Sequence, residues 1–182
     1  MSDPCGIILF GANGSGKTTL GREVARVLNF YHMDHETYGF KKSDIPYTQQ
    51  RLEAECIELM LADIKKHGSF VLSAVTGNFG NEIPQYYKLA VHLFAPRELR
   101  IERVKQRAYA QHGKRVCYGG DMYNQQQKFE EFVALRPPEK IEQWAQTLTC
   151  PVINMDGTED WRTNAAIIAQ LFRKNVGDFS NG

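Results

Sequence analysis

A short glycine-rich stretch carries the clearest chemistry in the chain: Gly11, Ala12, Asn13, Gly14, Ser15, Gly16, Lys17 and Thr18, followed by Thr19. It fits the spacing G-x-x-x-x-G-K-[ST] with no mismatch. Glycines let the backbone curl until successive N–H groups face inward, and a helix N-terminus behind them adds partial positive charge. Both features suit phosphate oxygens. In this pattern Lys17 reaches the β- and γ-phosphates of a nucleoside triphosphate and the Thr18 hydroxyl ligates Mg²⁺, so ATP and Mg²⁺ are the expected ligands. A chance glycine turn is a poor rival, because an apolar run precedes the loop and a helical pattern follows it.

The nearest acid is Asp34, just after the apolar run 30–33, where a parallel strand would deliver it beside the loop. There it would orient or deprotonate an acceptor and help hold Mg²⁺; the plainer reading is a helix N-cap. Translocating ATPases carry their acid at the end of a later strand, but run 70–75 ends in Thr76, Gly77 and Asn78. The Asn-Lys-x-Asp that reads guanine in GTPases does not occur. Glu36, Arg51 and Asn78 share the rim of Asp34 and are candidate substrate contacts. Arg97, Arg100, Arg103 and Arg107 recur at helical spacing and share one face. Arg103 and Arg107 are expected at the transferring phosphate, where charge-assisted bonds are strongest, and Arg97 and Arg100 in solvent. Segment 111–121 sets Lys114 and Arg115 among glycines 113, 119 and 120, as a mobile lid would, and Arg115 is a further candidate substrate contact. His32 and His35 tempt a metal reading, but a structural role is simpler; Trp144 and Trp161 are most simply core.

These residues need a frame. Apolar runs at 7–10, 30–33, 70–75, 89–94 and 152–155 show little alternation, as strands covered on both faces should. Helical patterns separate them: Leu20, Val24, Val27 and Leu28; then Leu52, Cys56, Met60 and Ile64, stopped by Gly68. Another opens near Pro96 with Leu99 and Val104, and the last holds Trp161, Ala165, Ile168 and Phe172. This β-α succession predicts an α/β fold with a parallel sheet, as a single domain over 1–182 with a lid at about 108–122. An insertion at 38–47 follows the second strand, and the tail 177–182 is expected to fray.

A net charge of +1 argues against nucleic-acid or anionic-membrane partners. Cys5, Cys56, Cys117 and Cys150 have no metal-like spacing and read as reduced, mostly buried thiols. The opening MSDPCGIILFG has no basic region before its short apolar run, so the expectation is a cytoplasmic monomer or homodimer.

The stretch GKTTLGREVARVLNFYHMDHE resembles the opening of the shikimate-kinase and adenylate-kinase group of small P-loop phosphotransferases, including adenylate-kinase-like ATPases. The resemblance implies a three-layer α/β/α P-loop NTPase fold with a five-stranded parallel sheet in the order 2-3-1-4-5 and a lid insertion. It implies that Asp34 lies beside Mg²⁺ and the attacking hydroxyl, and that Glu36 holds substrate hydroxyls. Arg103 and Arg107 resemble lid-base arginines that contact ATP. Arg136, in Leu135-Arg136-Pro137, resembles the arginine that binds an anionic substrate group. Asp156 and Gly157 resemble the loop against adenine. The chain departs from shikimate kinases at Thr76-Gly77-Asn78-Phe79-Gly80, where they have three glycines, and carries no AMP-binding segment of the adenylate-kinase type. The expected function is transfer of the γ-phosphoryl group of Mg·ATP to a small, anionic acceptor. A nucleoside or nucleotide kinase is one alternative, and a regulatory NTP-binding protein or slow ATPase another.

Overall fold

The computed structural model describes residues 3–179, with side chains through Asn175. In chain order the elements are β1 (Gly6–Phe10), α1 (Lys17–Leu28), β2 (Tyr31–Asp34), the single turn α2 (His35–Gly39), α3 (Glu53–His67) and β3 (Phe70–Ser73). There follow β4 (Tyr87–Phe94), α4 (Arg97–His112), α5 (Tyr123–Leu135), α6 (Glu139–Ala145), β5 (Val152–Asp156) and α7 (Trp161–Phe179). The strands form one parallel sheet in the order β2-β3-β1-β4-β5, as the resemblance implied.

Alternation along β1 divides the core. Ile8 and Phe10 face one side with Met33, Met60, Ile64, Leu72 and Ile141; Ile7 and Leu9 face the other with Leu20, Val24, Val91, Ile168 and Phe172. Helices therefore cover both faces, and every residue of β1 is buried. The uninterrupted apolar runs make sense at the sheet's centre. At its edges they do not: β2 buries only Met33, and Val152 of β5 is 41% exposed. Edge strands lack a neighbour on one side, so the two-faced burial expected of all five holds in full only for β1 and β3, and β4 exposes Lys88 and Phe94.

Other readings need correction. Leu52 is the N-cap of α3 and 78% exposed, so the buried stripe begins at Cys56. Gly68 does end that helix, its N–H donating to the Ile64 carbonyl. Helices α2, α5 and α6 were not anticipated: α2 is one turn, and α5 and α6 each bury a single residue, Val133 and Ile141. Such thin apolar stripes leave little periodicity to read. Trp144 packs edge-on against Phe10 at 5.0 Å, but Trp161 is only partly buried, with the Arg162 guanidinium 4.0 Å over its ring. All four cysteines are free, yet only Cys56 is buried and Cys117 is exposed. Helix α7 continues to Phe179 through part of the tail expected to fray, and 180–182 lie outside the described residues. Among the described residues no helix is long and apolar enough to cross a membrane.

Candidate functional site

The loop between β1 and α1 lies at the carboxyl end of the sheet, where β1 is flanked by β3 and β4 and the chain order reverses, the usual ligand position in such folds. Its glycines have separate reasons. Gly14 and Gly16 adopt left-handed φ of 81° and 103°, and a Cβ on Gly14 would strike the Arg100 backbone. Gly16 caps α1 without a side-chain bond, so the first N–H groups of the helix remain open to a ligand. The Ser15 hydroxyl is fully buried and has no partner among the described residues. An orphaned donor beside a left-handed glycine curl fits a phosphate.

Lys17 is buried, and its Nζ donates to the Ala12 carbonyl at 2.8 Å. Burial pushes its pKa down to about 8, against the pull of Glu36 and Asp34, while Arg107 and Arg136 lower it further. One carbonyl is little compensation for a desolvated ammonium; an anion would complete it.

Asp34 caps α2, the plainer of the two roles read from the sequence, and it also faces Thr18. Its Oδ1 accepts the Glu36 N–H at 3.1 Å and caps α2, while its Oδ2 accepts the Thr18 hydroxyl at 2.9 Å. Behind it, Ser73 donates to the Lys17 carbonyl at 3.1 Å and contacts His32 Nε2 at 3.0 Å, joining β2 and β3 to α1. Burial lowers the pKa of both His32 and His35, which favours neutral, structural rings. No cluster of three His, Cys, Asp or Glu able to hold a metal occurs among the described residues. Thr18 and Asp34 nevertheless form a pair of hard oxygen donors, and Mg²⁺ takes its other ligands from water and phosphate, so the donor set fits.

The arginines divide differently from the sequence reading. Arg103 clamps the loop, donating to the Ser15 carbonyl at 3.3 Å and to the Gly157 carbonyl at 2.9 Å. Arg100 is not a solvated charge: it donates to the Asn13 carbonyl at 3.3 Å and to that of Ala95 at 3.2 Å. Helical spacing put it on the correct face but could not reveal that α4 packs against the loop. Arg97 is exposed, as expected. Arg107 lines the cleft 4.0 Å from Glu36. Gly157 also lines it, and a Cβ there would meet the Ser15 carbonyl at 2.5 Å. Asp156 is not among the lining residues; its Oδ1 accepts both the N–H and hydroxyl of Thr158 at 2.8 Å and shapes the turn.

From the loop a continuous cleft of about 1760 Å³ runs past Asp34 and Glu36 to residues 40–50 and α5. Asn78, Arg115 and Arg136 do not line it. Asn78 is exposed in the turn after β3. Arg115 pairs with Asp121 at 2.8 Å inside the expected lid, and Arg136 donates to Asn13 Oδ1 of the loop at 3.1 Å. Arg51 reaches the cleft, but its Nη1 donates to the carbonyls of Thr37, Tyr38 and Phe40 at 3.0, 2.9 and 2.7 Å. Arg115 and Arg136 thus stand outside the cleft, and Arg51 within it is held by backbone carbonyls.

Arg51 instead holds the neck of segment 40–50, where Lys41 N–H also donates to the Gln49 carbonyl at 2.8 Å. Arg51→Met is expected to cost about 1–2 kcal/mol of stability and to speed amide exchange across 40–50 while leaving α1 unchanged. Unchanged exchange in that segment would contradict the assignment.

Two features of the far wall were missed. Tyr47 is a non-glycine residue at φ 64° whose hydroxyl donates to Glu36 Oε2 at 3.1 Å. Gln125 Nε2 donates to the Pro46 carbonyl at 2.9 Å and ties α5 to the same segment. Tyr47 sits at the end of the insertion noted after the second strand, which was the available signal; Gln125 lies in a helix whose pattern gave none.

Comparison with known proteins agrees with this geometry. A profile of the AAA domain family matches residues 7–134. The uncharacterized protein YqaC of Bacillus subtilis (strain 168) is 28% identical over 158 residues, covering 82% of this chain and 87% of that one. Shikimate kinase from Acinetobacter baumannii, solved in complex with shikimate, superposes with a TM-score of 0.55 at 18% identity, over 96% of this chain and 95% of that one. Deoxyadenosine kinase from M. mycoides, solved with dCMP and dCDP, gives 0.53 at 14% identity, over 93% and 99%. At such identities the likeness establishes a shared fold.

Proposed function

Because the chain belongs to the AAA domain family, whose P-loop implies nucleotide binding, we propose that it transfers the γ-phosphoryl group of Mg·ATP to a hydroxyl of a small acceptor. The observation that carries this reading is the single cleft running from Lys17 and Thr18 past Asp34 to a second, separately built wall. A nucleotide switch has no need of that second half.

In this reading the loop N–H groups and Lys17 bind the β- and γ-phosphates. Arg103 positions the loop through two of its five N–H donors, on the Ser15 and Gly157 carbonyls, and its other donors remain for phosphate along the cleft it lines. Arg107 faces the cleft and neutralises charge on the transferring group. Asp34 receives the acceptor's hydroxyl proton as the new O–P bond forms and the bond from the γ-phosphorus to the ADP oxygen breaks; the proton then leaves to solvent. Thr18 and Asp34 would hold Mg²⁺, which, when bound, neutralises phosphate charge. The reading is tested by ADP release with and without acceptors drawn from nucleosides, nucleotides, sugar acids and polyols. Acceptor-dependent release supports it, and release indifferent to every acceptor removes it.

The lid assigned to about 108–122 belongs to the same proposal. Its exposed members, held by the Arg115–Asp121 pair, are expected to gain amide-exchange protection when a non-hydrolysable ATP analogue and acceptor bind. Equal protection in both states would mean the segment is not a lid.

A further inference from the structure

Resting on the phosphotransferase reading of this cleft, we infer that the acceptor is a nucleoside, its base held between Phe40, Tyr47 and Phe129 and its sugar turned toward Glu36 and Asp34. A cleft of about 1760 Å³ exceeds the roughly 300–1,000 Å³ of a single small-ligand pocket. Beyond the space for the triphosphate there is room for a second molecule of comparable size.

The walls of that second half indicate what it takes. Phe40 and Tyr47 meet edge to face, with centroids 5.4 Å apart. Phe129 lines the same space from α5, and the Gln125–Pro46 hydrogen bond of 2.9 Å holds that helix against the segment carrying Tyr47. Three aromatic side chains lining one part of the cleft suit a flat heteroaromatic ring, whichever base it is. That bond uses only the amide nitrogen of Gln125, so its carbonyl oxygen is available to a base edge.

Charge points the same way. Nearest Lys17 the acceptor meets two carboxylates, Asp34 and Glu36, which are suited to receive sugar hydroxyls. Two cations of this half already have partners: Lys41 lies 3.6 Å from Glu55, and Arg51 donates to backbone carbonyls through Nη1 and lies 3.3 Å from Glu55, while Arg107, 4.0 Å from Glu36, serves the transferring group. Lys42 also lines the cleft, but from an exposed position. A sugar acid would bring a carboxylate to these carboxylates and leave the aromatic walls unused. A nucleoside uses the walls, the amide and the acids together. Its primary hydroxyl gains the γ-phosphoryl group, ADP leaves, and Asp34 takes the proton.

The experiment pairs calorimetric titration with ADP release, using adenosine, cytidine and their deoxy forms against ribose, ribitol and gluconate, on the parent and on Phe129→Ala and Gln125→Ala. The expected result is nucleoside-dependent release, with KM and Kd for the nucleoside raised about 10–100-fold in Phe129→Ala, the range for losing one base stack. Mg·ATP affinity is expected to hold in both variants. Release with gluconate or ribitol but not nucleosides would overturn this inference and leave the phosphotransferase reading standing. Release with no acceptor of any class would remove both. Nucleoside turnover unaffected by either substitution would overturn the placement of the base.

Discussion

Replacing Lys17 by methionine is expected to reduce ATP turnover by about 10²–10³-fold or more, the scale for losing one preorganised charge at a transition state, while leaving the ligand-free protein at least as stable as the parent. The two halves have one cause. Lys17 is buried with a single carbonyl partner, and desolvation takes its pKa from 10.5 to about 8. Between those values the unfolded chain binds a proton that the folded protein does not, so the stability of the parent rises with pH from about 8 to 10.5. Below about 8 the cost of holding a buried ammonium is fully present. Methionine keeps the stem and deletes that cost. The variant's advantage in Tm is therefore expected at neutral pH and should shrink toward pH 10.5. Scanning calorimetry across that range checks the sign. Nucleotide reverses it: phosphate oxygens favour the charged amine, so Mg·ATP binding slightly above pH 8 should take up protons in the parent and not in the variant. Parent-like turnover in Lys17→Met would contradict the nucleotide site.

The second large effect belongs to Asp34. Asp34→Asn keeps a side-chain oxygen for the Glu36 N–H, and asparagine caps a helix about as well as aspartate. The Thr18 hydroxyl, now facing an amide or its oxygen, can rotate to suit either. Stability is therefore expected to change by less than about 0.5 kcal/mol. Charge and proton affinity are lost, so acceptor-dependent turnover should fall by about 10²–10⁴-fold, the range for a general base. Mg·ATP affinity should fall far less, because the loop and Lys17 remain. Titration calorimetry and turnover on the same preparation separate the two. Parent-like turnover would reduce Asp34 to a helix cap.

The parts of this site that were legible in the sequence are those fixed by covalent neighbours. Gly11 to Thr18 declare their chemistry because each residue type is dictated by its own backbone or its own ligand. Asp34 could be placed because a strand delivers its last residue to the carboxyl edge of the sheet. Contacts made across the fold were not legible. Arg100 and Arg103 share a helical face, and only the packing of α4 on the loop decides that both hold loop carbonyls. Arg136 lies near the loop, but its bond to Asn13 could not be read from the sequence. Trp161 followed the apolar stripe of α7 in sequence, yet it stands at the first turn, where the helix meets the cleft and not the core. Helix α5 supplies half of the far wall and buries only Val133, so its residues carried no periodic signal. The loop end of the cleft was thus readable from local pattern, and the far wall, built by elements distant in sequence, was not.

The central claim is that the γ-phosphoryl group passes to an acceptor hydroxyl and not to water. Phosphorus NMR of the parent with Mg·ATP and the acceptor panel tests it directly. The expected result is a phosphate-monoester signal that grows in step with ADP and only when a competent acceptor is present. ADP accompanied by an equal amount of inorganic phosphate, whatever acceptor is added, would contradict it.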